Sequence, residues 1–168
     1  MRSYLIIFIF CFSFANIEFI SKDLNIGNKG IVALHTADID NDGMEDIIYS
    51  SMENNSITWL KNNGDGNFSS NIISYQINGS IAIEITDLNK DGAIDIIAAS
   101  MYNNTINWYK NIGNGNFLNK TIINNINGPW AIHSCDLNND NFTDIISYNE
   151  YDNNISFHKN DGKENFSS

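Results

Sequence analysis

Asp38-Ile39-Asp40-Asn41-Asp42-Gly43-Met44-Glu45-Asp46 is the stretch whose reading decides the fold. Carboxylates stand at its first, third, fifth and ninth positions, with a glycine at the sixth. The arrangement returns at Asp87-Leu88-Asn89-Lys90-Asp91-Gly92-Ala93-Ile94-Asp95 and at Asp136-Leu137-Asn138-Asn139-Asp140-Asn141-Phe142-Thr143-Asp144. Both steps are 49 residues. The same step links Trp59, Trp108 and Phe157, and also Phe68, Phe117 and Phe166, each of the last three preceded by asparagine. Landmarks that keep one register without insertion or deletion define a tandem repeat.

Working outward from each loop, the runs read as strands. The first runs are Ile31 to Ala37, Ser80 to Thr86 and Trp130 to Cys135. After the loops come Asp46 to Tyr49, Asp95 to Ala98 and Asp144 to Ser147, then Ile57 to Leu60, Ile106 to Tyr109 and Ile155 to His158. A fourth run is read at Asn71 to Tyr75 and Lys120 to Asn124. Short β-branched and aromatic runs divided by Gly, Asn and Asp turns are antiparallel strands. Four strands in 49 residues make one blade of a β-propeller. The expected fold is therefore all-β: three four-stranded blades over residues 16–168, forming a partial propeller or one completed by oligomerisation. Phe19 to Ile26 sits where a fourth strand belongs, one 49-residue step before that of the first unit, and the third unit's own fourth strand begins only at Phe166. Closure is expected either within a longer chain or by a homodimer, each leading strand completing the other copy's last blade in a two-fold six-bladed ring.

The loops carry the chemistry. Alternate residues along a curled loop turn inward, so Asp38, Asp40, Asp42 and Asp46 can surround one hard cation, with the backbone carbonyl of Met44 between them. The equivalent sets are Asp87, Asn89, Asp91, Ala93 and Asp95, and Asp136, Asn138, Asp140, Phe142 and Asp144. Oxygen-only donors without His or Cys favour calcium over zinc or copper. A flexible multi-oxygen loop also favours calcium over magnesium. The first loop offers four carboxylates and the others three each, so the first is expected to bind most tightly, and Lys90 is expected to weaken the second. Asn141 replaces the glycine in the third loop, and asparagine tolerates left-handed backbone next best. An EF-hand fails on context, because positions 10 to 12 of the first loop are Ile47-Ile48-Tyr49, a strand, instead of ending in a bidentate glutamate.

Asp-x-Asp/Asn-x-Asp-Gly-x-x-Asp, followed by Ile-Ile, Ile-x-Trp-x-Lys-Asn and Gly-Asn-Phe, resembles the FG-GAP/VCBS repeat family, which includes the integrin α-subunit propeller. The resemblance covers nearly all of residues 19–168. It implies a calcium-binding propeller and, in many members, a seven-bladed ring. It implies no particular ligand.

Composition narrows the classes. Of 168 residues, 42% are hydrophobic, enough for a core, and the net charge of −11 argues against nucleic acid and anionic membrane surfaces. Met1-Arg2, the apolar run Tyr4 to Phe12 and Ser13-Phe14-Ala15 read as a signal peptide over residues 1–15. Secretion is therefore expected, and the apolar run is too short to span a membrane. The 30 asparagines are read mainly as compositional drift. Cys135 is left without a partner once the leader is removed, and is expected to be a small packed residue. His35, Glu84 and His133 share one repeat position and are expected to line a central channel. His158 is expected on the surface, and Trp59, Trp108 and Phe157 between blades. The expected function is a non-catalytic module for adhesion or recognition of an extracellular carbohydrate or protein. The alternative is part of a larger propeller enzyme such as a polysaccharide lyase.

Overall fold

The computed structural model of the chain describes Leu24, Gly27 and residues 29–167. The leader at residues 1–15 lies outside the described residues, as does the strand expected at 19–26 apart from Leu24. The order is β1 (Ile31–Ala37), β2 (Asp46–Ser51), β3 (Ser56–Asn62), β4 (Phe68–Ser74), β5 (Ser80–Thr86) and β6 (Asp95–Ser100). It continues with β7 (Thr105–Asn111), β8 (Phe117–Asn124), β9 (Pro129–Cys135), β10 (Asp144–Asn149), β11 (Asn154–Asn160) and β12 (Phe166–Ser167). Neighbours pair antiparallel into three sheets, β1 to β4, β5 to β8 and β9 to β12. The expected three-blade all-β fold is what forms.

Register repeats with sequence. Ile48 faces Trp59, Ile97 faces Trp108 and Ile146 faces Phe157 across their strand pairs. The fourth strands begin earlier than their apolar residues announce, at Phe68 and Phe117. Outer strands need only ladder hydrogen bonds along one edge, so Ser69, Ser70 and Asn119 serve there without apolar alternation.

First strands lie side by side, β1 next to β5 and β5 next to β9, so the blades meet face to face around them. Between blades one and two, Ile39, Ile57 and Trp59 pack with Ile83, Ile96, Ala98 and Tyr109. Between blades two and three, Leu88, Ile106 and Trp108 pack with Ile145, and Ile132 joins them. Each such side chain contributes roughly 1.5–3 kcal/mol when fully buried. Trp59 and Trp108 are thus seam residues, as expected.

His158 is a correction. It is fully buried, with Nε2 2.9 Å from Ser147 Oγ. It occupies the repeat position of Leu60 and Tyr109, both buried, and Tyr109 belongs to the first seam. Burial lowers its imidazole from the ordinary value. The adjacent Phe157 is the partly exposed member of the pair.

The asparagine content is structural as well as compositional. Asn41, Asn55, Asn104, Asn114, Asn125, Asn139, Asn141 and Asn153 all take positive φ, the region other side chains avoid. Some also receive hydrogen bonds: Asn55 Oδ1 accepts from the Gly79 N–H at 3.0 Å, and Asn104 Oδ1 from Gly128 at 2.9 Å. Asn62 Oδ1 accepts from Gly64 at 3.0 Å.

Candidate metal loops and an inter-blade recess

Each loop is wound by its own first carboxylate. Asp38 accepts the N–H of Asp42 at 3.0 Å and of Gly43 at 2.8 Å. Asp87 does the same for Asp91 and Gly92, and Asp136 for Asp140 and Asn141. The fifth residue then turns back, Asp42 accepting from Met44, Asp91 from Ala93 and Asp140 from Phe142, all at 3.0 Å. At the sixth position Asn141 takes φ 67°, close to the 87° and 89° of Gly43 and Gly92. The third loop therefore keeps the fold without its glycine.

The ninth residues play a part that spacing does not reveal. Asp46, Asp95 and Asp144 are fully buried. Asp46 accepts from Ile39 N–H at 3.2 Å and from Asn62 N–H at 2.7 Å. Asp95 takes Leu88 and Asn111, and Asp144 takes Leu137 and Asn160, in the same way. Each staples its loop to the end of the third strand. Burial pushes the Asp95 carboxyl up to about 6, against the hydrogen bonds from Asn111 and Leu88 that favour its charge.

Asp38, Asp40 and Asp42 come together, with one carboxylate oxygen of each within 4.8 Å of the others. Asp40 Oδ1 is buried there without a hydrogen-bond partner. A desolvated anionic oxygen with no donor is what a hard cation satisfies, so this loop fits calcium. The Lys61 ammonium bonds Asp40, and Asp42 at 2.7 Å. That bond lowers the Asp42 carboxyl, and the two acids raise the lysine. In the other loops the third residue brings its own donor. Asn89 Nδ2 donates to Asp91 at 2.8 Å, and Asn138 Nδ2 to Asp144 at 3.1 Å. Met44 and Phe142, placed at the seventh position for their carbonyls, press their side chains against Gly64 and Gly162. Ala93 has no such contact with Gly113, beside which a Cβ would find open space.

The two seams differ although their registers match. A Cβ on Gly115 would lie 2.3 Å from the Trp59 ring, and Asn111 Nδ2 crosses to the Ile39 carbonyl at 2.8 Å. One repeat later Glu164 replaces Gly115, and Asn160 stands at the position of Asn111. Glu164 turns to Lys110 at 3.1 Å and Lys120 at 3.6 Å, and Lys110 lowers its carboxyl. Asn160 Nδ2 stays within its blade, on the Thr143 carbonyl at 3.0 Å. The second seam opens into a recess of about 250 Å³ lined by Trp108, Phe142 and Phe166 together with Asn89, Lys90 and Glu164. Lys90 reaches the Asn141 carbonyl in the next blade, so it leans away from the loop it was expected to weaken. Lys110 and Lys120 stand over the Trp108 ring, 5.4 and 5.9 Å from its centroid. Aligning the three repeats shows the signal for the recess, namely Glu164 against Gly66 and Gly115.

Of His35, Glu84 and His133, which share one repeat position, Glu84 and His133 meet at 2.9 Å. Cys135 is a half-buried free thiol.

The FG-GAP-like repeat profile matches residues 38–98 and 87–147, together more than half of the chain and each opening at an aspartate loop. The chain belongs to the FG-GAP-like repeat family. No curated protein matches it. Among solved structures, this FG-GAP chain is similar to a lectin from Agrocybe aegerita, with a TM-score of 0.61 at 18% identity. The match covers 83% of this chain and 38% of the lectin, so the FG-GAP blades span well under half of that protein's length. At this identity the likeness speaks for the fold alone. That lectin is described as specifically recognising non-reducing terminal N-acetylglucosamine.

Proposed function

We propose that the chain is a secreted, calcium-stabilised propeller module that binds carbohydrate without transforming it. The recess between blades two and three carries this reading. Its aromatic walls suit the apolar face of a sugar ring, while Asn89, Lys90 and Glu164 offer donors and an acceptor for hydroxyls. Its volume falls below the roughly 300–1,000 Å³ of pockets for drug-sized ligands, so it suits a single ring. Glu164, held ionised by Lys110, is a poor proton donor or base at neutral pH and a good hydroxyl acceptor. The likeness of fold to a lectin supports a glycan as the ligand class. Secretion rests on the leader-like first residues, and calcium on the geometry of the first loop.

A glycan array probed in calcium, followed by titration of retained sugars, tests the proposal. Saturable binding that Lys90→Ala and Phe142→Ala each weaken is expected. A folded chain that retains no glycan, or binding indifferent to both changes, overturns it. Thermal unfolding of the same samples tests the metal: calcium at tenfold excess over Kd adds about 1.4 kcal/mol per site. Identical melting in calcium and in chelator removes calcium from the proposal while leaving the glycan result standing.

A further inference from the structure

We infer that the recess between blades two and three takes an acidic sugar, a ring whose exocyclic carbon carries an anionic group that Lys90 meets. The inference rests on the glycan reading of the same recess and adds the charge of what it binds. The repeat supplies the control. Around the first seam the corresponding positions hold Asn41, Asn71, Lys61 and Gly115, with Asp40 third in its loop. Around the second they hold Lys90, Lys120, Lys110 and Glu164, with Asn89 in place of the aspartate. Three lysines and one glutamate therefore stand where the first seam has one lysine and one aspartate. In a chain of net charge −11 this is a local excess of ammonium groups. The remaining loop aspartates recur at both seams and do not distinguish them. Asp161 and Lys163, together on the blade-three hairpin, offset one another.

Internal pairing does not absorb that excess. At the first seam Lys61 is held by its own loop, bonding Asp40 and Asp42. At the second, Asn89 offers Lys110 no charge, and Lys110 and Lys120 share the single carboxylate of Glu164 at 3.1 and 3.6 Å. Two ammonium groups on one carboxylate leave a positive charge over, so Glu164 in the recess wall does not set a repulsive field against an anion. Lys90 lines the recess and rests on the Asn141 carbonyl, a neutral partner. Among the described residues it pairs with no carboxylate. An ammonium bonds an anionic oxygen more strongly than a neutral carbonyl, so a carboxylate or sulfate entering the recess takes over that bond. Lys90 belongs to the loop of blade two and Glu164 to the hairpin of blade three, so the two walls orient the ring. Its anionic end faces Lys90 and its hydroxyls face Glu164. A recess of about 250 Å³ holds one such ring with its exocyclic group.

Titration calorimetry in calcium tests the inference, with methyl glucuronide and methyl galacturonide each set beside its neutral glycoside and that glycoside's 6-sulfate. These probes keep the ring and differ only at its exocyclic carbon. An acidic form is expected to bind about fivefold tighter than its neutral counterpart, the gain from one partly exposed ion pair. The carboxylate and sulfate arms tell which anion the recess prefers. In about 1 M salt, where the screening length is about 3 Å, the advantage is expected to vanish. Lys90→Met, and Lys120→Asn, which restores the residue of blade one, are each expected to lower the acidic-to-neutral affinity ratio toward one. Lys90→Arg is expected to keep it. Neutral glycosides that bind as tightly as the acidic forms overturn the inference and leave the glycan reading standing. A ratio indifferent to both salt and Lys90→Met overturns it as well. No binding of any probe, with the glycan array also blank, takes down both.

Discussion

At the scale of single residues, the aspartates divide by burial into two kinds of work. Asp38, Asp40 and Asp42 are positioned for an ion, whereas Asp46 holds two backbone N–H groups inside the protein. Both kinds share one motif, so spacing identifies all four as oxygens of one loop and cannot separate them. Only burial and the bond from Asn62 on β3 do. Asp46→Ala is therefore expected to destabilise the chain even in excess chelator. It strands two N–H groups at about 1–3 kcal/mol each, and urea unfolding reads the loss directly. Asp40→Asn is expected to leave stability in chelator nearly unchanged and to reduce only the increment that calcium adds. A large loss for Asp40→Asn without calcium would show that the two groups had been assigned the wrong way round.

At the scale of elements, the inner strands and loops were legible because each carries a periodic signal, alternation for the strands and fixed oxygens for the loops. The fourth strands were legible only in part, since Ser69, Ser70 and Asn119 have neither a pattern nor a core to face. His158 read as a surface residue because a lone histidine in an alternating run looks polar. Its equivalence to Leu60 and Tyr109 is the better guide, and the repeat offered it. The recess was hidden for a different reason. It arises where a hairpin of one blade meets a tryptophan of another, and that meeting is a property of packing. The first seam can be tested at the same place. Gly115→Ala is expected to cost about 1–3 kcal/mol, because its methyl must displace the Trp59 ring. Gly113→Ala on the same hairpin also has positive φ but meets open space. Its smaller cost measures backbone strain alone, and equal losses for the two would discount the Trp59 contact.

At the scale of the whole molecule, the strict 49-residue step is enough to count three blades from the order of residues alone. The asparagine-glycine hydrogen bonds set another whole-molecule property, the rate at which the chain ages chemically. Asparagine before glycine deamidates when the glycine nitrogen attacks the side-chain carbonyl, expelling ammonia and leaving a ring that water opens to aspartate or isoaspartate. Four such pairs occur, at Asn63, Asn78, Asn114 and Asn127. In three of them the glycine N–H is already committed to another asparagine, through Asn62, Asn55 and Asn104. Among the described residues, no asparagine side chain tethers Gly115 in this way. Peptide mapping of stored folded protein is expected to find isoaspartate first at Asn114, and unfolded chain is expected to lose that selectivity. The added backbone methylene would fall beside the glycine that fits against Trp59, so the shelf life of the first seam is set by one amide.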